Sequence, residues 1–121
     1  MRNISKIVVI QLVIFSSKIY ANVQYCTGYI QDWEVARWGT LYIDSDWNES
    51  DNSQGLCKLD GSMGGVSAEA CKAWMLTVQD AAKFHMQIKL KYEDVTSCKG
   101  SDIGEWGDAK TPEYIRVYAS E

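Results

Sequence analysis

"SAEACKAWMLTVQDAAKFHMQIKLKYED", residues 67–94, changes its hydrophobic period partway along, and that change decides the fold. In its first part the apolar residues Ala70, Cys71, Trp74, Met75, Val78, Ala81 and Ala82 recur at three and four positions, the spacing of one helix face. Ser67 offers an N-cap oxygen and Glu69 places a negative charge in the first turn, so a helix is expected from Ser67 to about His85. After it, Met86, Ile88, Leu90 and Tyr92 alternate with Gln87, Lys89, Lys91 and Glu93, as a strand with one buried face must. His85 falls at the junction, where an imidazole can cap the last carbonyls and complement the helix dipole.

Outward from this segment the chain reads as strands. Cys26 to Trp33 is rich in β-formers, and Trp38 to Asp44 alternates, with Leu41 and Ile43 beyond Gly39 on one face and Thr40, Tyr42 and Asp44 on the other. "GLCKLD", residues 55–60, is a shorter strand ended by the glycine-rich "GSMGG", residues 61–65. A turn-rich stretch from Val95 to Pro112 leads to "EYIRVYA", residues 113–119, as the last strand. The order β-β-β-α-β-β makes the protein mainly β with one helix, and it is the chain order of an OB-fold-like five-stranded Greek-key barrel. A ferredoxin-like fold needs a second helix that "DWEVARWG" is too short and aromatic to form, and an immunoglobulin-like sandwich wants about seven strands and no long helix. "YIDSDWNESDN", residues 42–52, is then the solvated hairpin between the second and third strands. Its Asp44, Asp46 and Asn48 match the first three ligand positions of a calcium loop, but Glu49 stands where the turn glycine belongs and Gly55 where the bidentate glutamate belongs. No metal is expected there. Asn48-Glu49-Ser50 is also a formal glycosylation sequon.

Residues 1–21 read as a signal peptide: Arg2 and Lys6, an apolar run from Ile7 to Phe15, then Ala21 at the cleavage site. That leaves 22–121 as a single domain, exported to the periplasm or secreted, with no segment apolar enough for membrane insertion. Nine basic residues then face sixteen acidic ones, a balance that argues against nucleic acid and anionic membrane as partners. The four cysteines, Cys26, Cys57, Cys71 and Cys98, lack the spacing zinc requires and suggest two disulfides, with three pairings open.

Catalytic residues are scarce. There is one histidine, no serine stands in a G-x-S-x-G elbow, and the carboxylates weighed as partners for His85, Glu69 and Asp80, lie at least a helical turn away in sequence. A non-enzymatic protein with no cofactor is expected. The aromatics give the better lead, because ring faces take sugar C–H groups while acids and amides take hydroxyls. Trp74 and Trp38 are expected in the core, whereas Trp33, Trp47 and Trp106 fall at turns beside Asp32, Asp46 and Asp108. Trp33, Asp46, Trp47 and Trp106 are therefore the candidate ligand-binding residues, set against the plainer role of closing the barrel's ends. Leu76 lies on the polar side of the helix with Ala73 beside it, which makes it a candidate for an oligomer interface.

The run "SAEACKAWMLTVQDAAKFHMQIKLKYED", then "SCKG" and "GEWGDAKTPEYIRVY", resembles a group of small exported bacterial proteins in which a mid-chain strand cysteine, a helix leading into an alternating strand and a cysteine after that strand recur together. Cys57 and Cys98 stand where those two cysteines would. Over roughly residues 25–119 the layout also resembles the OB-fold B subunits of subtilase cytotoxin and typhoid toxin, which form pentameric rings that bind sialylated glycans. None of their sugar-contacting residues carries over. The resemblance implies a Cys57–Cys98 disulfide, leaving Cys26 to Cys71, and a cyclic homo-oligomer whose helices meet near Leu76. The expected function is an exported binding module for a glycan; the alternative is a structural or regulatory protein partner, such as an inhibitor or envelope-assembly component, that recognises its target through an edge strand.

Overall fold

The structure, a computed structural model, describes residues 22–49 and 52–119. The expected signal peptide and Ser50 of the sequon lie outside the described residues. The elements run β1 (Val23–Gly28), β2 (Ile30–Val35), β3 (Thr40–Ser45), β4 (Gln54–Lys58), α1 (Ala68–Lys83), β5 (Ile88–Glu93), α2 (Gly100–Ile103) and β6 (Tyr114–Val117). The protein is mainly β: six strands in two antiparallel three-stranded sheets, ordered β1-β5-β6 and β2-β3-β4, with a single long helix and one helical turn. Neither sheet closes on itself.

The expected first strand, Cys26 to Trp33, is two strands, and Asp46 divides them. The Tyr29 N–H donates to Asp46 Oδ1 at 3.0 Å, and the Asp46 N–H donates to the Tyr29 carbonyl at 3.0 Å. With its backbone groups taken, Tyr29 leaves both ladders and the chain passes from one sheet to the other. Gly28 permits this approach, because a Cβ there would collide with the Asp46 carboxylate and press on the Trp47 ring. As expected, the stretch that begins at Tyr42 starts in a strand, residues 42–45 belonging to β3, and β3 pairs antiparallel with the next strand, β4.

The helix starts as its sequence dictates, with Ser67 Oγ accepting from the Ala70 N–H at 3.1 Å. It ends with Phe84 N–H bonded to the Asp80 carbonyl and Met86 N–H reaching back to Ala81, across His85 at φ 48°. The backbone of His85 thus makes the stop, while its ring stacks on Tyr29 at 4.2 Å. α1 packs against β2, β4 and β6, covering strands of both sheets. Its buried Cys71, Val78 and Ala81 join Leu41, Ile43, Leu56, Ile88, Leu90 and Tyr92 in one core, and Trp74 packs partly buried against it.

The disulfides overturn the expected pairing: they are Cys26–Cys98 and Cys57–Cys71. Only the short glycine-rich turn separates β4 from α1, and the helix folds straight back over β4, bringing the two Cα atoms of Cys57 and Cys71 to 5.5 Å. Beyond β5 the chain curls over β1, where the Val95 N–H donates to the Asn22 carbonyl and Gln24 Nε2 to the Thr96 carbonyl; Cys98 then reaches Cys26. Two disulfides with no free cysteine suit an oxidising, extracellular or periplasmic compartment. No helix among the described residues is long and apolar enough to cross a membrane.

Candidate functional site

The structure disperses the four candidate binding residues. Asp46 is the hinge pin between β1 and β2, and Trp47 packs half-buried against the core with its indole nitrogen buried and unpaired among the described residues. Trp33 lies within β2 rather than at a turn, opposite the buried Ile43, at the margin of the sheet. Trp106 alone stands on an exposed concave surface.

Its position follows from the backbone around it. The loop after α2 lies against β4: Trp106 N–H donates to the Ser53 carbonyl at 2.7 Å, and the Gly55 N–H donates to the Trp106 carbonyl at 2.9 Å. Gln54 Nε2 holds the Gly104 carbonyl at 3.0 Å, and Asn52 Nδ2 holds Glu105 Oε2 at 2.8 Å. Gly104, at φ 98°, lets this loop close on itself, since a Cβ there would strike the Asp108 carbonyl. Pinned on both sides, Trp106 adopts φ 51°, a left-handed conformation that costs a bulky side chain energy.

The indole stays 45% exposed while meeting Tyr42 edge to face, with ring centroids 5.6 Å apart. Trp38 meets the same tyrosine edge to face and donates from Nε1 to its hydroxyl at 3.0 Å. Between them Tyr42 is reduced to 4% exposure, on a strand that is buried along nearly its whole length. Trp38 itself is 57% exposed, which corrects its expected place in the core. It lies in the β2–β3 turn, closed by a bond from the Gly39 N–H to the Ala36 carbonyl, so the alternation of β3 does not reach it.

Beside Trp106 opens a groove of about 480 Å³ lined by Gly100, Ser101, Gly104, Glu105, Trp106 and Asp108. It continues into a depression of about 230 Å³ that adds Lys99 and Glu49, the latter from the β3–β4 loop. The walls thus offer one indole, one hydroxyl, three carboxylates and one ammonium. They can hold a hydroxyl-rich ligand against an apolar ring, and they contain no base paired to a nucleophile. Among the described residues no three His, Cys, Asp or Glu side chains converge as a metal site would require. Two of the residues weighed as calcium ligands make other contacts: Asp46 Oδ1 accepts from the Tyr29 N–H at 3.0 Å, and Asn48 donates from Nδ2 to the Asn52 carbonyl at 2.7 Å.

Sequence reasoning missed Tyr42, Glu49, Ser101 and Glu105. Tyr42 carried a signal, a large aromatic in the polar phase of a strand; the other three depend on how two loops meet. Set against models of protein families, curated proteins and solved structures, the chain matches none.

Proposed function

We propose that this protein is an exported, non-enzymatic binding module that holds a glycan in the groove beside Trp106. The observation that carries this reading is Trp106 itself. A large aromatic kept exposed and left-handed by hydrogen bonds on both sides, over a groove of carboxylates and a hydroxyl, is maintained at a stability cost that ligand binding explains. The ring takes the apolar face of a sugar, and Glu105, Asp108 and Glu49 accept from its hydroxyls. Three carboxylates against Lys99 suit a neutral or amino sugar better than a sialylated one.

The same reading treats the two sheets as halves of an OB-like barrel. β1 and β2 act as one bent strand serving both sheets, and α1 lies over strands of each. It also includes a cyclic assembly in which the exposed α1 surfaces of neighbouring copies meet at Leu76. The two disulfides support export.

The test is a glycan screen on the oxidised protein with neutral, amino and sialylated members, repeated with Trp106→Gly. Binding of a neutral or amino glycan that this substitution abolishes supports the proposal; a blank screen removes it. A protein partner is the second reading, favoured by β2, an edge strand whose residues 31–35 are all exposed. A blank screen together with an extracellular protein that stops co-purifying when Glu34 is replaced by proline would select it.

A further inference from the structure

The outer face of the β1-β5-β6 sheet breaks a rule of cross-strand pairing. Lys89 on β5 stands directly opposite Arg116 on β6, and Lys91 lies two residues along on the same side, about 7 Å away. Like charges directly opposite one another destabilise a sheet, and nothing in the core requires these three to share a face. Glu93 stands near them, 3.7 Å from Lys91. Tyrosines stand between the cations, with Lys89 Nζ 5.2 Å from the ring centre of Tyr25 and the Arg116 guanidinium 5.8 Å from that of Tyr114. Register places Tyr25 opposite Lys91 and Tyr114 opposite Lys91 from the other side, so rings and cations interleave across all three strands. Acids outnumber bases sixteen to twelve in the chain as a whole, yet here the balance is reversed.

We propose that this face is a second binding site, for a polysaccharide that carries carboxylates along its length. The polymer's carboxylates neutralise the Lys89–Arg116 repulsion and pair with Lys91, while Tyr25 and Tyr114 lie under the C–H faces of its sugars. The acidic remainder of the molecule repels a densely charged polyphosphate, so a polymer of sparser charge fits better. The site lies on the other sheet from the groove beside Trp106 and does not depend on it.

The experiment measures binding of polygalacturonate, neutral dextran and a thymidine oligonucleotide to the oxidised full chain, at about 50 and 300 mM salt. Polygalacturonate should bind at low salt and weaken about tenfold or more at high salt, with dextran unbound. Lys89→Gln with Arg116→Gln should lower that affinity at least about tenfold while the melting temperature holds or rises, because the repulsion is removed. Arg116→Gln alone, at an exposed position on an edge strand, should show a smaller loss and guards against misfolding of the double variant. Unchanged polygalacturonate binding in these variants overturns the proposal. So does tighter binding of the oligonucleotide, or self-association of the unmodified protein that the variants abolish, which would make the occupant another copy's acidic surface.

Discussion

Tyr92 carries its hydroxyl into the core along with its ring. The oxygen is buried with no hydrogen-bond partner among the described residues, and burial pushes the phenol far above its usual range. Leaving such a group unpaired costs on the order of 1–3 kcal/mol. Tyr92→Phe should therefore hold or raise stability, by about 1 kcal/mol, in a denaturant titration. The sign with pH follows from linkage. Above the ordinary tyrosine value of about 10 the unfolded chain ionises this phenol while the folded one keeps it neutral, so stability falls as pH rises. The phenylalanine variant should lose less stability between about pH 9.5 and 11; an identical alkaline slope would place the phenol in a hydrated site. Trp106 presents the opposite trade. Trp106→Gly removes a left-handed penalty of about 1–2 kcal/mol and forfeits an edge-to-face contact worth about 0.5–1.5 kcal/mol. Its unfolding free energy should stay level or rise even as the proposed glycan binding disappears; a loss of more than about 2 kcal/mol would make the ring a structural prop instead of a platform.

Among the elements, the two disulfides differ in loop length and exposure. Cys26–Cys98 spans 72 residues and Cys57–Cys71 spans 14, so restriction of the unfolded chain contributes roughly 4 and 3 kcal/mol respectively. Cys57 and Cys71 are fully buried, whereas Cys98 is partly exposed just before the α2 turn that forms one wall of the groove. Mild thiol at neutral pH should open Cys26–Cys98 first, by access, and abolish the proposed glycan binding before the far-ultraviolet signal changes. Peptide mapping that finds Cys57–Cys71 reduced first would contradict this. These bridges also mark how far the sequence could be read. The period change at residues 84–86, the Ser67 cap and the alternation of Ile88, Leu90 and Tyr92 are local, and each predicted its element. Asp46 breaking a strand at Tyr29, seventeen residues away, is not local, and neither is the curl of residues 94–98 over β1 that decides which cysteines meet. The groove was half legible for the same reason. The tryptophan-glycine turn marked Trp106, but Glu49 and Ser101 join it only because two loops distant in sequence are folded together.

At the scale of the whole molecule the question is what the outer surface of α1 does. The helix buries Cys71, Val78 and Ala81, and on its other side Leu76 is 58% exposed with Ala73 beside it. Single exposed leucines are common and need no partner. This one lies between charges of both signs, Lys72 and Lys83 with Glu69 and Asp80, all exposed, so the surface is complementary to a copy of itself rotated about an axis. A helix-to-helix contact between copies would bury Leu76 among the partner's alanine and side-chain stems and set Lys against Asp or Glu at its rim. The proposed cyclic assembly therefore makes a specific demand. Sedimentation of the oxidised protein at tens of micromolar should give a whole multiple of the monomer mass, and added salt should loosen the assembly by screening the rim pairs. Leu76→Glu buries a carboxylate in that contact and should yield monomers whose melting temperature and disulfides are unchanged, because the position touches nothing in the core. A monomer at every concentration, indifferent to the substitution, would leave Leu76 as a solvated surface residue and the proposed binding module working as a single chain.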